Sequence, residues 1–261
     1  MDLSKISVGV KTFLRDEKLF NTIQAIRDTL PEVKMIIADC GEMTEEKDGI
    51  YADLERQGHK VIHLPFDAGF GAMSNAIIDA LVTDFYLVGS DDFDFTPTYV
   101  RPGIERLLDV LESTDVDVAS GRVRGPYEFD LEIRGDEVIE HKVNIPAHPV
   151  PYYVTCDVTV NYSLFKKRVF EKIRWDDEIK ICGGEHGAQF YDIKKSGYKV
   201  AWVPNVFIGE QSGVDSPRYM QYRSRGGKSR PAFDKRGIRK WVLGTGQVDY
   251  NRVDYPEPIT R

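Results

Sequence analysis

The chain has 261 residues, of which 41% are hydrophobic and 30% charged, with a formal net charge of −7. That composition supports a sizeable buried core. No apolar run approaches the roughly 18 residues of a membrane-spanning helix, so a soluble chain is expected, with one large α/β domain and a C-terminal appendage.

The first half alternates strand and helix signals. Lys5–Thr12 reads as a strand, and residues 18–30 carry helical apolar spacing that stops before Pro31. Residues 33–39 (VKMIIAD) form a nearly continuous apolar run, as in a strand covered on both faces. A helix over 50–57, a short strand over 60–64 and a helix over 72–81 follow. Residues 84–89 (DFYLVG) form another buried strand, closed by Ser90-Asp91-Asp92-Phe93-Asp94. A helix over 102–111 and a strand over 116–120 complete this half. Strands separated by helices of such length predict parallel βαβ units in a doubly wound sheet.

Beyond residue 121 the pattern changes. Residues 122–143 read as β-rich hairpin material with a turn near Gly135-Asp136. A loop over 146–151, a strand over 156–162, a helix over 164–172, a helix from Glu185 to Ser196 capped by Gly197, and a strand over 199–204 follow. The predicted organisation is a domain over 1–212, divided at 121 into two halves of different pattern, then a basic segment over 213–261.

Cys40, Cys156 and Cys182 are far apart and form no CxxC pair, against a disulfide framework or a zinc site. The N-terminus shows no signal-peptide hydrophobic region, so the expected compartment is the cytoplasm. Charge is unevenly spread. Between Ser216 and Trp241 nine basic residues face Asp234 alone, a net +8 against −15 elsewhere. Either this segment meets an anion, or it folds against the acidic body.

In doubly wound sheets ligands bind beyond the carboxyl ends of the strands. Thr12, Asp39 and Asp91-Asp92 fall there. Carboxylates ending a buried strand are costly unless solvated, paired or metal-bound. One or two of them, with phosphate oxygens filling the remaining positions, are how Mg²⁺ or Mn²⁺ usually sits in nucleotide-handling sites. The plain alternative is an acidic turn that caps the next helix. Gly226-Gly227-Lys228-Ser229 lacks the first glycine of a phosphate-binding loop, because Tyr222 stands there.

The ordered segments KTFLRDEKLFNTIQAIR, VKMIIADCG, LPFDAGFGAMSNAII and FYLVGSDDFDFT resemble the nucleotide-binding half of GT-A glycosyltransferases. The likeness is nearest to inverting family 2 and to β-1,4-N-acetylgalactosaminyltransferases of the ganglioside-synthase type. Residues 156–204 resemble the acceptor half. The resemblance implies a nucleotide-diphosphate-sugar donor, a UDP-sugar ahead of others, and a divalent metal, Mn²⁺ or Mg²⁺. The acceptor would be a carbohydrate or another hydroxyl. It implies that Thr12 borders the nucleotide and that Asp39 accepts from base or ribose. Asp67, Gly69 and Asn75 would border the donor; Asp92 would hold the metal with Asp91 as its partner ligand, and Asp91 would also contact the nucleotide-sugar.

Glu185 is the implied general base. The strict register favours His186, kept as a second base or as a metal or phosphate contact. Ser90 replaces the first Asp of a D-D-D motif and Ser74 replaces an Arg, a charge that Arg223 or Arg225 could restore. No His follows the last strand; Glu210 and Gln211 are the nearest substitutes for a third ligand. Trp175, Asp176 and Asp177 could line the acceptor site, whereas Trp202 reads as core.

Three readings compete with sugar transfer to a small acceptor. A sugar-phosphate nucleotidyltransferase needs a Gly/Arg-rich loop after the first strand, which VGVKTFLRDE does not supply. A sugar- or nucleic-acid-binding protein that has lost part of its site is a second. A transferase acting on a nucleic-acid base through the basic, aromatic-bearing tail is the third.

Overall fold

In a computed structural model of the chain, the described residues are 1–123, 127–144, 149–159, 162–177, 179–180, 184–223 and 230–244; the side chains of 230 and 231 lie outside that description. In chain order the first half contains β1 (Ile6–Thr12), α1 (Asp16–Thr29), β2 (Lys34–Asp39), α2 (Glu45–Arg56), β3 (Lys60–His63), α3 (Phe70–Asp79), β4 (Phe85–Ser90), β5 (Phe93–Asp94), α4 (Val100–Ser113) and β6 (Val118–Arg122). The second half contains β7 (Phe129–Arg134), β8 (Glu137–Lys142), β9 (Val154–Cys156), β10 (Ser163–Lys166), α5 (Glu185–Lys195), β11 (Val200–Phe207), β12 (Gly209–Glu210), α6 (Pro217–Arg223), α7 (Arg230–Asp234) and β13 (Lys240–Val242).

Eight strands form the main sheet in the order β3-β2-β1-β4-β10-β6-β11-β9. The β1–β2, β1–β4, β2–β3 and β6–β11 pairs are parallel, while β10 and β9 run antiparallel to their neighbours. The expected α/β sheet flanked by helices is thus present. Alternate side chains along each strand feed two cores. One holds Val8, Val10, Leu87 and Leu164 with α1, α2 and α4; the other holds Tyr86, Val88, Phe165 and Trp202 with α3 and α5.

The helices follow from their spacing. Leu19, Ile23 and Ile26 of α1 are buried at intervals of four and three. Ile104, Leu107, Leu108 and Leu111 do the same for α4. Thr44 caps α2, its Oγ1 accepting from Lys47 N at 3.2 Å, ahead of three acidic residues in the first turn. Gly9 is needed where α3 crosses β1, since a Cβ there would lie 2.5 Å from both Ile77 Cγ2 and the Tyr86 ring.

Two expectations fail locally. Residues 164–172 are not a helix: Ser163–Lys166 form β10, and a short 3-10 turn covers Lys167–Glu171. Leu164 and Phe165 bury on opposite faces of the sheet, between β4 and β6, and that slot overrides the helical spacing. The strand expected over 156–162 lies earlier, at Val154–Cys156, where it completes the sheet edge beside β11. Residues 160 and 161 are outside the described set.

The hairpin does form. Gly135 takes φ 63° in its turn, and β13 adds to β8 in parallel. Trp241 of β13 is fully buried, its Nε1 donating to Glu140 Oε1 at 2.8 Å. Part of the basic C-terminal segment is therefore built into the sheet of the middle region. No helix among the described residues is long and apolar enough to cross a membrane.

Candidate active site at the ends of the parallel strands

Sheet register sets the frame. Thr12 lies opposite Asp39 on β2, and Lys11 opposite Ser90 on β4. Thr12 Oγ1 donates to Asp91 Oδ2 at 2.9 Å, and Asp91 is fully buried. Arg15, in the turn that opens α1, reaches both carboxylates. Its Nε donates to Asp91 Oδ2 at 3.3 Å, its Nη2 to Asp91 Oδ1, and its Nη1 to Asp92 Oδ2 at 2.7 Å. Ser90 Oγ donates to Asp92 Oδ1 at 2.5 Å, so the residue replacing an Asp serves to hold its neighbour.

The electrostatics of the pair diverge. Burial pushes the Asp91 carboxyl up to about 6, against the pull of Arg15. Burial also opposes ionisation of Asp92, but Arg15 and the Ser90 hydroxyl outweigh it and hold its pKa below the usual carboxylate value. Desolvation works against the Arg15 charge, and the two carboxylates more than offset it, raising its pKa. Beneath them, buried Lys11 donates to the Gly89 carbonyl at 2.9 Å and lies 5.1 Å from the Phe70 ring centre. Desolvation lowers its pKa to about 8 despite Asp91 and Asp92 nearby.

Asp39 is almost sealed from solvent and engaged through both oxygens. Gly41 N donates to Oδ1 at 2.7 Å, while Tyr51 OH (2.7 Å) and Lys47 Nζ (3.0 Å) meet Oδ2. Lys47 is itself fully buried.

Asp67, Gly69 and Asn75 serve the segment from Trp175 to Lys180. The Asp67 carbonyl accepts from Lys180 Nζ at 3.3 Å. Gly69, at φ 99°, lets Lys180 approach so closely that a Cβ would sit 2.7 Å from its Cα. Asn75 Nδ2 donates to the Trp175 carbonyl and to Asp177 Oδ1, and its Oδ1 accepts from Trp175 N. Asn75 is thus occupied in bracing the acceptor half.

Glu185 opens α5 behind Gly184, which takes φ 105°, and is buried. His186 Nε2 lies 3.8 Å from Glu185 Oε1, and its ring packs on Trp175 and Phe70. Phe70 is therefore the common neighbour of Lys11, on the carboxylate side, and His186, on the acceptor side. Trp175 is buried with this cluster and offers no exposed stacking face, and Trp202 is core as its strand suggests. Arg236 and Lys235 bind Asp176.

The remaining candidates lie on the C-terminal side. Glu210 pairs with Phe93 through the backbone, and the Gln211 amide donates to Thr22 Oγ1 (2.7 Å) and the Asp91 carbonyl (3.2 Å), supporting the acidic loop. Tyr219 of α6 covers Arg15, with 4.6 Å from ring centre to guanidinium carbon, and Tyr222 packs on Phe13 and Phe66. Arg223 is exposed on α6, Arg225 and Gly183 lie outside the described residues, and Arg218 pairs with Glu42 at 2.6 Å. Arg236 pairs with Asp192, and Lys240 with Glu137 at 2.5 Å. Much of the described basic segment is folded against the acidic body.

Residue roles assigned from sequence miss Arg15, Lys11 and the Ser90 hydroxyl. The signal for the first two was a pair of cations flanking Thr12, within two or three residues of a strand end that faces an Asp-Asp pair. Among the described residues no three His, Cys, Asp or Glu side chains gather as a metal site.

No protein-family profile matches the chain. It is 36% identical over 119 residues to human β-1,4 N-acetylgalactosaminyltransferase 1, and 35% over 127 residues to β-1,4 N-acetylgalactosaminyltransferase 2 of Mus musculus. These alignments take in 46% and 48% of this chain but 20% and 23% of the relatives, so the chain spans about a fifth of their length. Among solved structures, GalNAc-T7 with UDP, GalNAc and Mn²⁺ superposes with a TM-score of 0.63 at 12% identity, over 80% of this chain and 44% of that one. S. aureus TarS 1-349 gives 0.55 at 11% identity, over 79% and 60%. The mannosyltransferase PcManGT of Pyrobaculum calidifontis, with GDP-Man and Mn²⁺, gives 0.57 at 10% identity, over 83% and 59%. The chain carries the GT-A fold of the glycosyltransferases.

Proposed function

We propose that the chain transfers a sugar from a nucleotide-diphosphate donor, a UDP-sugar ahead of others, to an acceptor hydroxyl with inversion. The observation that carries this reading is the hydrogen-bonded Thr12–Asp91–Asp92–Arg15 cluster, two carboxylates around one guanidinium, at the carboxyl ends of β1 and β4. The names of the related N-acetylgalactosaminyltransferases and the nucleotides held by the fold's neighbours support it.

The donor set fits a hard divalent cation such as Mn²⁺ or Mg²⁺. Asp92 is the partly exposed carboxylate, at 21%, and the pair is already arranged around a positive charge, that of Arg15. Asp92 would hold the metal with Asp91 as neighbour, and donor phosphates and water would complete the coordination. When bound, the metal would neutralise charge growing on the diphosphate leaving group.

Thr12 borders the nucleotide, and Asp39, held rigid by Lys47 and Tyr51, accepts from the base or ribose. Glu185 takes the proton of the acceptor hydroxyl as that oxygen bonds to the anomeric carbon. The bond from that carbon to the diphosphate breaks, and the nucleoside diphosphate leaves. His186, against Trp175 and Phe70, is the second candidate base. Arg223 and Arg225 are proposed to approach the diphosphate, supplying charge lost with Ser74. A nucleic-acid acceptor is the weaker reading, because Arg218, Arg236 and Lys240 already face acidic side chains.

A thermal-shift panel of UDP-, GDP- and CDP-sugars with and without Mn²⁺ tests donor class and metal together. One nucleotide class raising the melting temperature, more so with Mn²⁺, is the expected outcome. No shift with any donor would remove the reading.

A further inference from the structure

We propose that Arg15 is a resident counter-cation that keeps the divalent metal off Asp92 until a nucleotide diphosphate draws the guanidinium away. This rests on the donor reading given above and deepens it.

Both oxygens of Asp92 are engaged within the protein, Oδ1 by Ser90 and Oδ2 by Arg15. The guanidinium also grips both oxygens of Asp91 and is only 13% exposed. Tyr219 covers its outer face, and Asp215 stands 3.9 Å from Nη1. A planar fork spanning two carboxylates satisfies them with a geometry that a point charge cannot match.

Asp92 Oδ2 would be open to a divalent ion arriving alone only if Arg15 released it, while the guanidinium stayed tied to Asp91 and Lys11 stayed buried near the same carboxylates. Like-charge repulsion in a poorly solvated site makes that exchange unfavourable. A nucleotide diphosphate changes the balance. Its phosphate oxygens accept the N–H groups that Arg15 withdraws from Asp92, and its charge offsets both cations. The carboxylate oxygen so freed would then be open to the metal. Arg15 would thereby add to the diphosphate-neutralising charge proposed for Arg223 and Arg225.

The test is Mn²⁺ binding to the full chain, read by the EPR signal of free Mn²⁺ with and without UDP, in wild type, Arg15→Gln and Arg15→Lys. UDP affinity is measured in parallel by calorimetry. Because Arg15→Gln leaves buried Asp91 without its cation, its melt is recorded, and Arg15→Lys retains one charge for Asp91. The expected result is Mn²⁺ binding without nucleotide that is tighter than wild type in Arg15→Lys, which loses the fork but keeps the charge, and at least tenfold tighter in Arg15→Gln if folded. UDP affinity should fall about tenfold in the same variants. If wild type binds Mn²⁺ alone as tightly as Arg15→Lys does, the gate is overturned while the donor reading stands. If UDP binds none of the proteins with or without Mn²⁺, the donor reading itself fails.

Discussion

Lys47→Met removes an ammonium that is fully buried and held by three groups: Asp39 at 3.0 Å, Asp16 at 2.7 Å and the Glu42 carbonyl at 3.0 Å. Methionine keeps nearly the same volume, so packing changes little. What changes is charge. Asp39, 3% exposed, keeps only Gly41 N and Tyr51 OH. Stranding one member of a buried pair costs about 3–5 kcal/mol. Asp16, a third exposed, can be rehydrated and adds little. For a chain of this size that is about 6–20 °C in melting temperature. The double variant Lys47→Met/Asp39→Asn removes the stranded charge as well, so it should be more stable than Lys47→Met alone. Burial works against the Lys47 charge, but the hydrogen bonds it donates to the Asp16 and Asp39 carboxylates, and their charge, outweigh it and raise its pKa. A raised lysine pKa gives stability that is complete below the unfolded value of 10.5 and lost only above it. The deficit of Lys47→Met should therefore be flat from pH 6 to 9. Urea denaturation of the three proteins measures all of this. A Lys47→Met cost below 1 kcal/mol, or a double variant worse than the single, would refute the claim that Asp39 sits in a desolvated, cation-dependent site.

Other outcomes are expected. The folded-state pKa of Asp91, raised from 3.8 to about 6, means its charge penalises folding above that range and not below it. The stability of Asp91→Asn relative to wild type should accordingly rise between pH 4 and 6 and level off above; a flat difference in melting temperature would contradict this. Glu185→Gln should lower kcat by about 10²–10⁴ while leaving UDP affinity unchanged, as loss of a general base requires; a change confined to donor affinity would place Glu185 elsewhere. Gly71→Ala would put a Cβ 2.2 Å from the Asp176 carbonyl oxygen, so it should destabilise by about 1–3 kcal/mol and raise the acceptor KM more than the donor KM.

What was legible in the sequence was what depends on neighbours along the chain. The runs that became β1, β2 and β4 are apolar on both faces because helices cover both, and at their carboxyl ends Thr12 lies opposite Asp39 and bonds Asp91, the residue after β4. The strand Ser163–Lys166 was not legible, because its state is decided by a slot between β4 and β6, strands that close about 75 and 40 positions earlier. Asn75 was assigned to the donor, yet its hydrogen bonds run to residues 100 and 102 positions away, a contact no local pattern records. Arg15 falls between the strand expected over 5–12 and the helix expected over 18–30, where the sequence assigns it no role. Only the packing of α1 across the β4 loop turns it toward Asp91 and Asp92. The basic tail was visible as a charge count, whereas its partners were not, since Glu42 lies in the loop after β2, Asp192 on α5 and Glu137 on β8.

The most direct measurement is calorimetric titration of a UDP-sugar with Mn²⁺ into wild type and Asp92→Asn, with the melt of each confirming the fold. The account predicts saturable binding to wild type and an affinity at least tenfold weaker, about 1.4 kcal/mol, in Asp92→Asn. Equal binding by two equally folded proteins would contradict it.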